Sequence, residues 1–281
     1  MTSSQRRIAG VQHLIAVASG KGGVGKTTVT VNLALALAAD GARVGVFDGD
    51  LYGPNVPLML GVRRKTPPRG MLPVAHSDDT PPYIPPLERY GLKMMSIGLL
   101  VPESVALAPD PRFAGLIVSR TLLDVLWGEL DYLLIDLPPG TGEPQQSLVQ
   151  RVQLDGVVIV TTPQDLSLLD SSRALDLYRQ AGVPILGVVE NMSHLYCPHC
   201  GEAIQVFHRS GRSWAVADAT LPLLGQIPLD IAISRGIDSG HPLVSAAPAG
   251  PEATVFRTIA RAVAARLAEP SGPKPGEGLG A

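Results

Sequence analysis

Cysteine is scarce in this 281-residue chain, which has only Cys197 and Cys200. That scarcity excludes a disulfide framework and turns attention to a metal or redox role for the pair. Long apolar runs are also missing. No uninterrupted stretch reaches the ~18 residues that a membrane-spanning helix needs, and no apolar export-signal core follows Arg6 and Arg7. A soluble, cytoplasmic protein is expected. Nor does charge of one sign dominate. The 23 basic and 25 acidic residues give a net charge of -2, so no global field draws the chain toward nucleic acid or a membrane surface. Neither is expected as a partner.

Hydrophobic residues make up 45% of the chain, enough for a large core. Strand-length apolar runs recur at Leu14 to Ala18, Arg43 to Phe47, Leu92 to Ile97, Tyr132 to Ile135, Gly156 to Thr161, Pro184 to Val189 and Leu223 to Ile227. Helix-length segments separate them, among them Lys26 to Ala39, Leu166 to Gln180 and Pro251 to Ala268. Near-continuous apolar strands alternating with helices predict an α/β fold with a mostly parallel sheet covered by helices on both faces. One domain over residues 8–268 is expected, with an N-terminal arm at 1–7 and a glycine- and proline-rich, disordered tail at 269–281. The proline-rich segment from Val62 to Tyr90 has no periodicity and is expected to be a surface excursion. The last helix sets Val255, Ile259, Val263 and Leu267 on one face. Packing against the sheet is the expectation for that stripe, in preference to lying on a membrane.

The most informative stretch follows the first strand: Gly20-Lys21-Gly22-Gly23-Val24-Gly25-Lys26-Thr27, with Thr28 next. The pattern G-x-x-x-x-G-K-[ST] wraps backbone N–H groups around a nucleotide's phosphates, and its glycines permit the tight turn. The phosphates then lie at the N-terminus of the helix beginning near Lys26, where unpaired N–H groups favour negative charge. Lys26 is placed to reach the β- and γ-phosphates, the Thr27 hydroxyl to ligate Mg²⁺, and Thr28 to reach the α-phosphate. Two acidic strand ends follow, Asp48-Gly49-Asp50 and Asp136. In an open α/β sheet such ends converge on one crevice with the loop. Asp136 closes an apolar Walker B strand and is expected to hold Mg²⁺, while one carboxylate of the Asp48/Asp50 pair orients the attacking water. The alternative is that Asp48 and Asp50 are solvated turn residues.

The loop carries a second lysine, Lys21, and so resembles the deviant P-loop ATPases, the class of ParA, MinD, ArsA and the nitrogenase iron protein. In that class this lysine reaches across a dimer to the partner's nucleotide. The resemblance assigns the attacking water to Asp50 and places Asp48 nearer the metal. A solvated lysine at the loop mouth is the plainer reading of Lys21.

Four further segments sharpen the resemblance: Leu51-Tyr52-Gly53-Pro54-Asn55-Val56-Pro57, Leu137-Pro138-Pro139-Gly140-Thr141-Gly142-Glu143, Glu190-Asn191-Met192-Ser193 and Cys197-Pro198-His199-Cys200-Gly201. Together they resemble the Mrp-type iron-sulfur cluster carriers over about Ile8 to Leu267. The resemblance implies a three-layer, MinD-like P-loop NTPase fold, with Asn191 and Pro228 near the adenine. It also implies ATP hydrolysis and transfer of a cluster to recipient apo iron-sulfur proteins. Two cysteines cannot close a four-thiolate site. A [4Fe-4S] cluster bridging the Cys197 and Cys200 pairs of a homodimer would complete it. A zinc site using His194, His199 or His208, a redox C-x-x-C, and a structural turn with two free thiols remain open alternatives. So does a positioning or regulatory ATPase of the ParA/MinD type. Three departures stand out: Leu107-Ala108-Pro109-Asp110-Pro111 where the carriers have Trp-Arg-Gly-Pro, Glu143 where aspartate is common, and His208-Arg209-Ser210-Gly211 in place of a glycine-rich run.

Overall fold

The computed structural model describes residues 5–62, 84–100, 110–207 and 221–269. Its elements, in chain order, are β1 (Val11–Ala18), α1 (Lys26–Ala39), β2 (Val44–Asp48), α2 (Val56–Met59), β3 (Leu87–Arg89), β4 (Leu92–Ser96), α3 (Pro111–Asp124) and β5 (Leu130–Asp136). They continue with α4 (Glu143–Arg151), β6 (Gly156–Thr161), α5 (Asp165–Gln180), β7 (Ile185–Glu190), β8 (Leu195–Tyr196), β9 (Ala203–Ile204) and β10 (Leu223–Gln226), and end with α6 (Ile231–Asp238), α7 (Leu243–Ala246) and α8 (Pro251–Ala268). All seven apolar runs are strands of one eight-stranded sheet, ordered β10-β7-β6-β1-β5-β2-β4-β3 and parallel except for β3. Every residue of β2 and β6 is buried, as expected of parallel strands covered on both faces.

The strand order decides where a ligand fits. The chain steps rightward through the sheet from β1 to β2 to β4, then returns to β5 and steps leftward through β6, β7 and β10. Right-handed crossovers put α1 and α2 on one face and α3, α4 and α5 on the other. The direction therefore changes between β1 and β5, which opens a crevice at their carboxyl ends. Helix α1 packs on the sheet and against α2, α7 and α8, and its residues from Val29 to Leu37 are all buried. A helix covered on both sides needs apolar residues all round, which is why this one shows no clear stripe.

Some expectations are revised. The segment from Val62 to Tyr90 is partly regular: β3 pairs antiparallel with β4, and Ile84 bridges Val125. An edge strand of three residues, as β3 is, carries too little alternation to show in sequence; residues 63–83 lie outside the described residues. The N-terminal arm is docked at residues 5–7, where Arg6 bridges Val152, Gln5 donates to the Val149 carbonyl and Arg7 pairs with Asp155 at 3.0 Å. The expected tail lies outside the described residues from position 270 onward.

In α8 the buried face is Ala253, Phe256, Ile259, Ala260 and Val263, with Val255 and Leu267 at its edges. The apolar stripe is thus centred one position away from the expected one, and it packs on α1 and β10. Phe256 is fully buried. We expect Phe256→Ala to cost about 3–5 kcal/mol, read as a lower urea midpoint at constant slope. An unchanged midpoint would contradict this docking of α8.

Candidate functional site

The loop from Gly20 to Thr27 spans the crevice end of β1 and the first turn of α1. Gly25 holds the N-cap position with φ 82°, a left-handed conformation that glycine adopts without penalty. A Cβ on Gly25 would also displace the Asn191 side-chain nitrogen. That same Asn191 Nδ2 donates to the Val24 carbonyl at 2.8 Å, tying the end of β7 to the loop. Gly23 is also left-handed, at φ 78°. Gly20 is half-buried, Gly22 and Gly23 are exposed, and Val24 is buried beneath them. The loop therefore offers backbone outward while one apolar side chain anchors it. Thr27 and Thr28 are half-buried in the first helical turn.

The carboxylates converge as the strand ends require. Asp136 is fully buried and accepts three bonds, from Lys26 Nζ at 2.7 Å, Thr27 Oγ1 at 2.7 Å and Thr30 Oγ1 at 3.0 Å. Asp48 sits opposite Asp136 in the β2–β5 register and is likewise fully buried. Its Oδ2 accepts from Ser96 Oγ at 3.0 Å and the Val56 N–H at 3.1 Å, and its Oδ1 accepts from the Asp50 N–H at 3.2 Å. Burial raises the Asp48 carboxyl to about 8, and the neighbouring Asp136 charge adds to the rise; the Ser96 bond and the Lys26 charge oppose it. Thr27, Asp48 and Asp136 thus form an all-oxygen donor set on adjoining elements, the chemistry Mg²⁺ prefers.

Asp50 is only half-buried, and its Oδ1 accepts from the Tyr52 and Gly53 N–H groups at 3.2 Å each. Its carboxylate therefore caps the loop after β2, in keeping with the turn reading. It also lines a cleft of ≈ 540 Å³ together with Tyr52, Pro138, Pro139, Glu143 and Gln145. Glu143 accepts the Gly115 N–H at 2.5 Å, joining α4 to α3. Lys21 is half-buried and does not join Asp136; its Nζ donates to Gln164 Oε1 at 2.9 Å.

Asn191 and Pro228 lie on the segments that follow β7 and β10, two neighbouring strands of the sheet. Both are buried, and the segments after β7 and β10 remain bonded through Ile227 N–H to the Glu190 carbonyl at 2.9 Å and Ser193 N–H to the Ile227 carbonyl at 3.0 Å. The chain then runs directly into the cysteine pair. Strands β8 and β9 form a two-stranded hairpin whose tip is Cys197 to Glu202, closed by the Cys197 N–H on the Glu202 carbonyl at 2.8 Å and the Gly201 N–H on the Cys197 carbonyl at 2.9 Å. Cys197 is half-buried and Cys200 exposed, both as free thiols. The Cys200 and His199 N–H groups pull the Cys197 thiol below its usual range, and the Cys200 thiol assists. Thiolate is the form that binds metal.

Among the described residues no group of three or more His, Cys, Asp or Glu is placed to hold a metal ion. His194 has its Nδ1 2.9 Å from Ser193 Oγ and its ring edge-on to Tyr196, while its buried Nε2 has no hydrogen-bond partner among the described residues. His199 is exposed, and His208 lies outside the described residues, as do residues 107–109 and 209–211 of the departures. Sequence reasoning missed Thr30, Ser96 and Gln164. Thr30 was within reach, because it follows Lys26 by four and so shares its helix face. Ser96 and Gln164 reach the site only through strand pairing and carry no motif.

Asp48 generates a pH prediction. Its folded pKa, about 8, lies above the ordinary 3.8, so the stability it contributes is complete at low pH and is lost as pH rises through about 8. The melting temperature of the nucleotide-free protein should fall between pH 6 and pH 9. In Asp48→Asn that fall should be visibly shallower, at about 2–4 °C per kcal/mol removed. Equal slopes in the two proteins would refute the assignment.

Comparison with known proteins agrees with this geometry. Residues 10–264 match the ParA family model, described as the NUBPL iron-transfer P-loop NTPase. The iron-sulfur cluster carrier protein of Deinococcus radiodurans is 44% identical over 94% of this chain and 73% of its own length. The carrier of Escherichia coli K12 is 41% identical over 94% and 69%. A mitochondrial iron-sulfur protein of Arabidopsis thaliana required for NADH dehydrogenase is 40% identical over 95% and 82%. Among solved structures, a nucleotide-binding protein of Archaeoglobus fulgidus in complex with ADP superposes with a TM-score of 0.69 at 37% identity, covering 88% of this chain and 92% of that one. The septum site-determining protein MinD of Pyrococcus horikoshii, complexed with Mg-ADP, gives 0.65 at 29% identity, covering 89% and 95%. By its loop, its buried carboxylates and its relatives, this chain belongs to the ParA family of iron-transfer P-loop NTPases.

Proposed function

We propose that the protein binds and hydrolyses ATP in the crevice between β1 and β5, and that it carries a [4Fe-4S] cluster as cargo on Cys197 and Cys200 of two copies for delivery to apo iron-sulfur proteins. The observation that carries this reading is the hairpin. It presents two thiols at an exposed tip, one already biased toward thiolate, and joins the Asn191 segment through a few residues. Two thiols per chain leave a four-iron cluster half-ligated, so two copies related by a two-fold axis supply the rest.

The nucleotide's phosphates lie along Gly20 to Thr28, with the exposed backbone of Gly22 and Gly23 facing them and the α1 N-terminus beneath. Thr27, Asp48 and Asp136 would hold Mg²⁺, whose charge offsets that of the phosphate oxygens. Lys26 pairs with Asp136 at 2.7 Å, and shifts its ammonium toward the β- and γ-phosphates. Asp50 orients the attacking water, a role that its half-buried carboxylate at the edge of the cleft supports. Lys21 of a second copy adds positive charge where the leaving phosphate gains negative charge. Nucleotide state then biases the dimer between holding and releasing the cluster. That bias requires ATP and ADP to favour different dimer arrangements.

We place this carrier in the cytoplasm; a net charge of -2 gives it no global field toward an anionic surface, and among the described residues no helix is long and apolar enough to cross a membrane. Anaerobic reconstitution with iron and sulfide, followed by absorbance and mass measurement, tests the cargo. About four irons per dimer, lost in Cys197→Ser, is the expected result. Tight zinc instead would make the hairpin structural, and ATP-dependent vesicle or DNA binding without a cluster would favour a positioning ATPase. For the lysine, Lys21→Ala should keep ATP binding while hydrolysis falls roughly 100-fold or more. Wild-type turnover in that variant would remove Lys21 from the mechanism.

A further inference from the structure

Lys21 is held by a residue of its own chain. Strands β1 and β6 are adjacent and parallel, with Ala18 opposite Ile159, so the loops that leave their carboxyl ends run side by side. One carries Lys21 and the other carries Gln164, and Nζ donates to Oε1 across them at 2.9 Å. Gln164 occupies the N-cap position of α5, where Ser, Thr, Asp or Asn usually accept a backbone N–H. Its side chain makes no such capping bond. The amide oxygen is therefore free of helix duty and is spent on the lysine.

We propose that Gln164 is a positioning residue that retains Lys21 on its own chain, so that release of this bond accompanies the meeting of two copies. The inference rests on the proposed role of Lys21 in a partner's site. A neutral amide suits the task. It orients the ammonium without cancelling its charge, and the partly exposed bond is weak enough to exchange for a phosphate oxygen. A carboxylate in the same place would hold the lysine more tightly and would itself be repelled by an incoming phosphate. An aliphatic side chain would not hold it. Replacements at this position should therefore move assembly in opposite directions according to whether they lose or strengthen the acceptor.

The test measures Mg-ATP hydrolysis by the full-length protein as a function of protein concentration, in the wild type, Gln164→Ala, Gln164→Glu and Lys21→Ala. Gln164→Ala should lower the half-activating protein concentration roughly three- to tenfold, and Gln164→Glu should raise it by a similar factor that shrinks in high salt. Turnover at saturating protein and the KM for ATP should stay within about twofold in both Gln164 variants, because only release is altered. A second readout needs no dimer: the rate at which an amine-reactive ester labels Lys21, followed by mass spectrometry, should rise in Gln164→Ala and fall in Gln164→Glu. If the alanine variant does not fold, Gln164→Met keeps the stem and removes the amide acceptor. Shifts of the same sign in the loss and gain variants, or no shift while Lys21→Ala abolishes hydrolysis, would overturn the retaining role alone. Undiminished hydrolysis in Lys21→Ala would overturn the reading beneath it.

Discussion

The carboxylate of Asp136 is the point on which the nucleotide crevice is assembled. It is fully buried, and three donors from the first turn and a half of α1 converge on it: Lys26, Thr27 and Thr30. A buried charge without partners would cost several kcal/mol or would take up a proton. Here one ammonium and two hydroxyls satisfy it. The same bonds fix how α1 sits on the end of β5, and hence where the glycine loop begins. Asp48, its neighbour in register, is held by burial and by that neighbouring carboxylate well above the usual carboxyl range, so it does not readily ionise beside it. A site built this way has its negative charge stored next to the phosphate loop, where a divalent cation offsets it.

Around that centre the structure links parts that are remote in sequence. Asn191 touches the glycine loop through the Val24 carbonyl and leads within a few residues to Cys197. Gln164 touches Lys21 from the neighbouring loop. A change in the phosphate loop therefore has a short covalent and hydrogen-bonded route to the cysteine hairpin. In the proposed function both unusual features, Lys21 and the cysteine pair, are incomplete within one chain: a lysine whose charge serves another nucleotide, and half the ligands of a cluster. Under that proposal, shared incompleteness of this kind would couple catalysis to assembly.

Much of the fold was legible in the sequence because parallel strands buried on both faces are written as apolar runs, and helices between them as segments of helix length. The boundaries of α1 and α8 follow directly from Gly25 and Pro251. Other features were hidden. The edge strand β3 and the hairpin pair β8 and β9 are two or three residues long, too short for any periodicity to register. In α8 the expected stripe missed Phe256, because the face that packs is chosen by what lies opposite, here α1 and β10, and not by spacing alone.

By itself, the sequence determined the chemistry: a glycine loop with two lysines, carboxylates at strand ends and one pair of cysteines, each recognisable because the residue types and local spacing are themselves the requirement. Only the tertiary structure decided the partners. Asp136 collects Thr30, Asp48 collects Ser96, Asn191 closes on Val24, and Lys21 lies on Gln164. Apart from the Lys26–Thr30 step along one helix, these pairings depend on strand order and register. Both arise from how the whole sheet buries its apolar residues, a property that no local segment contains.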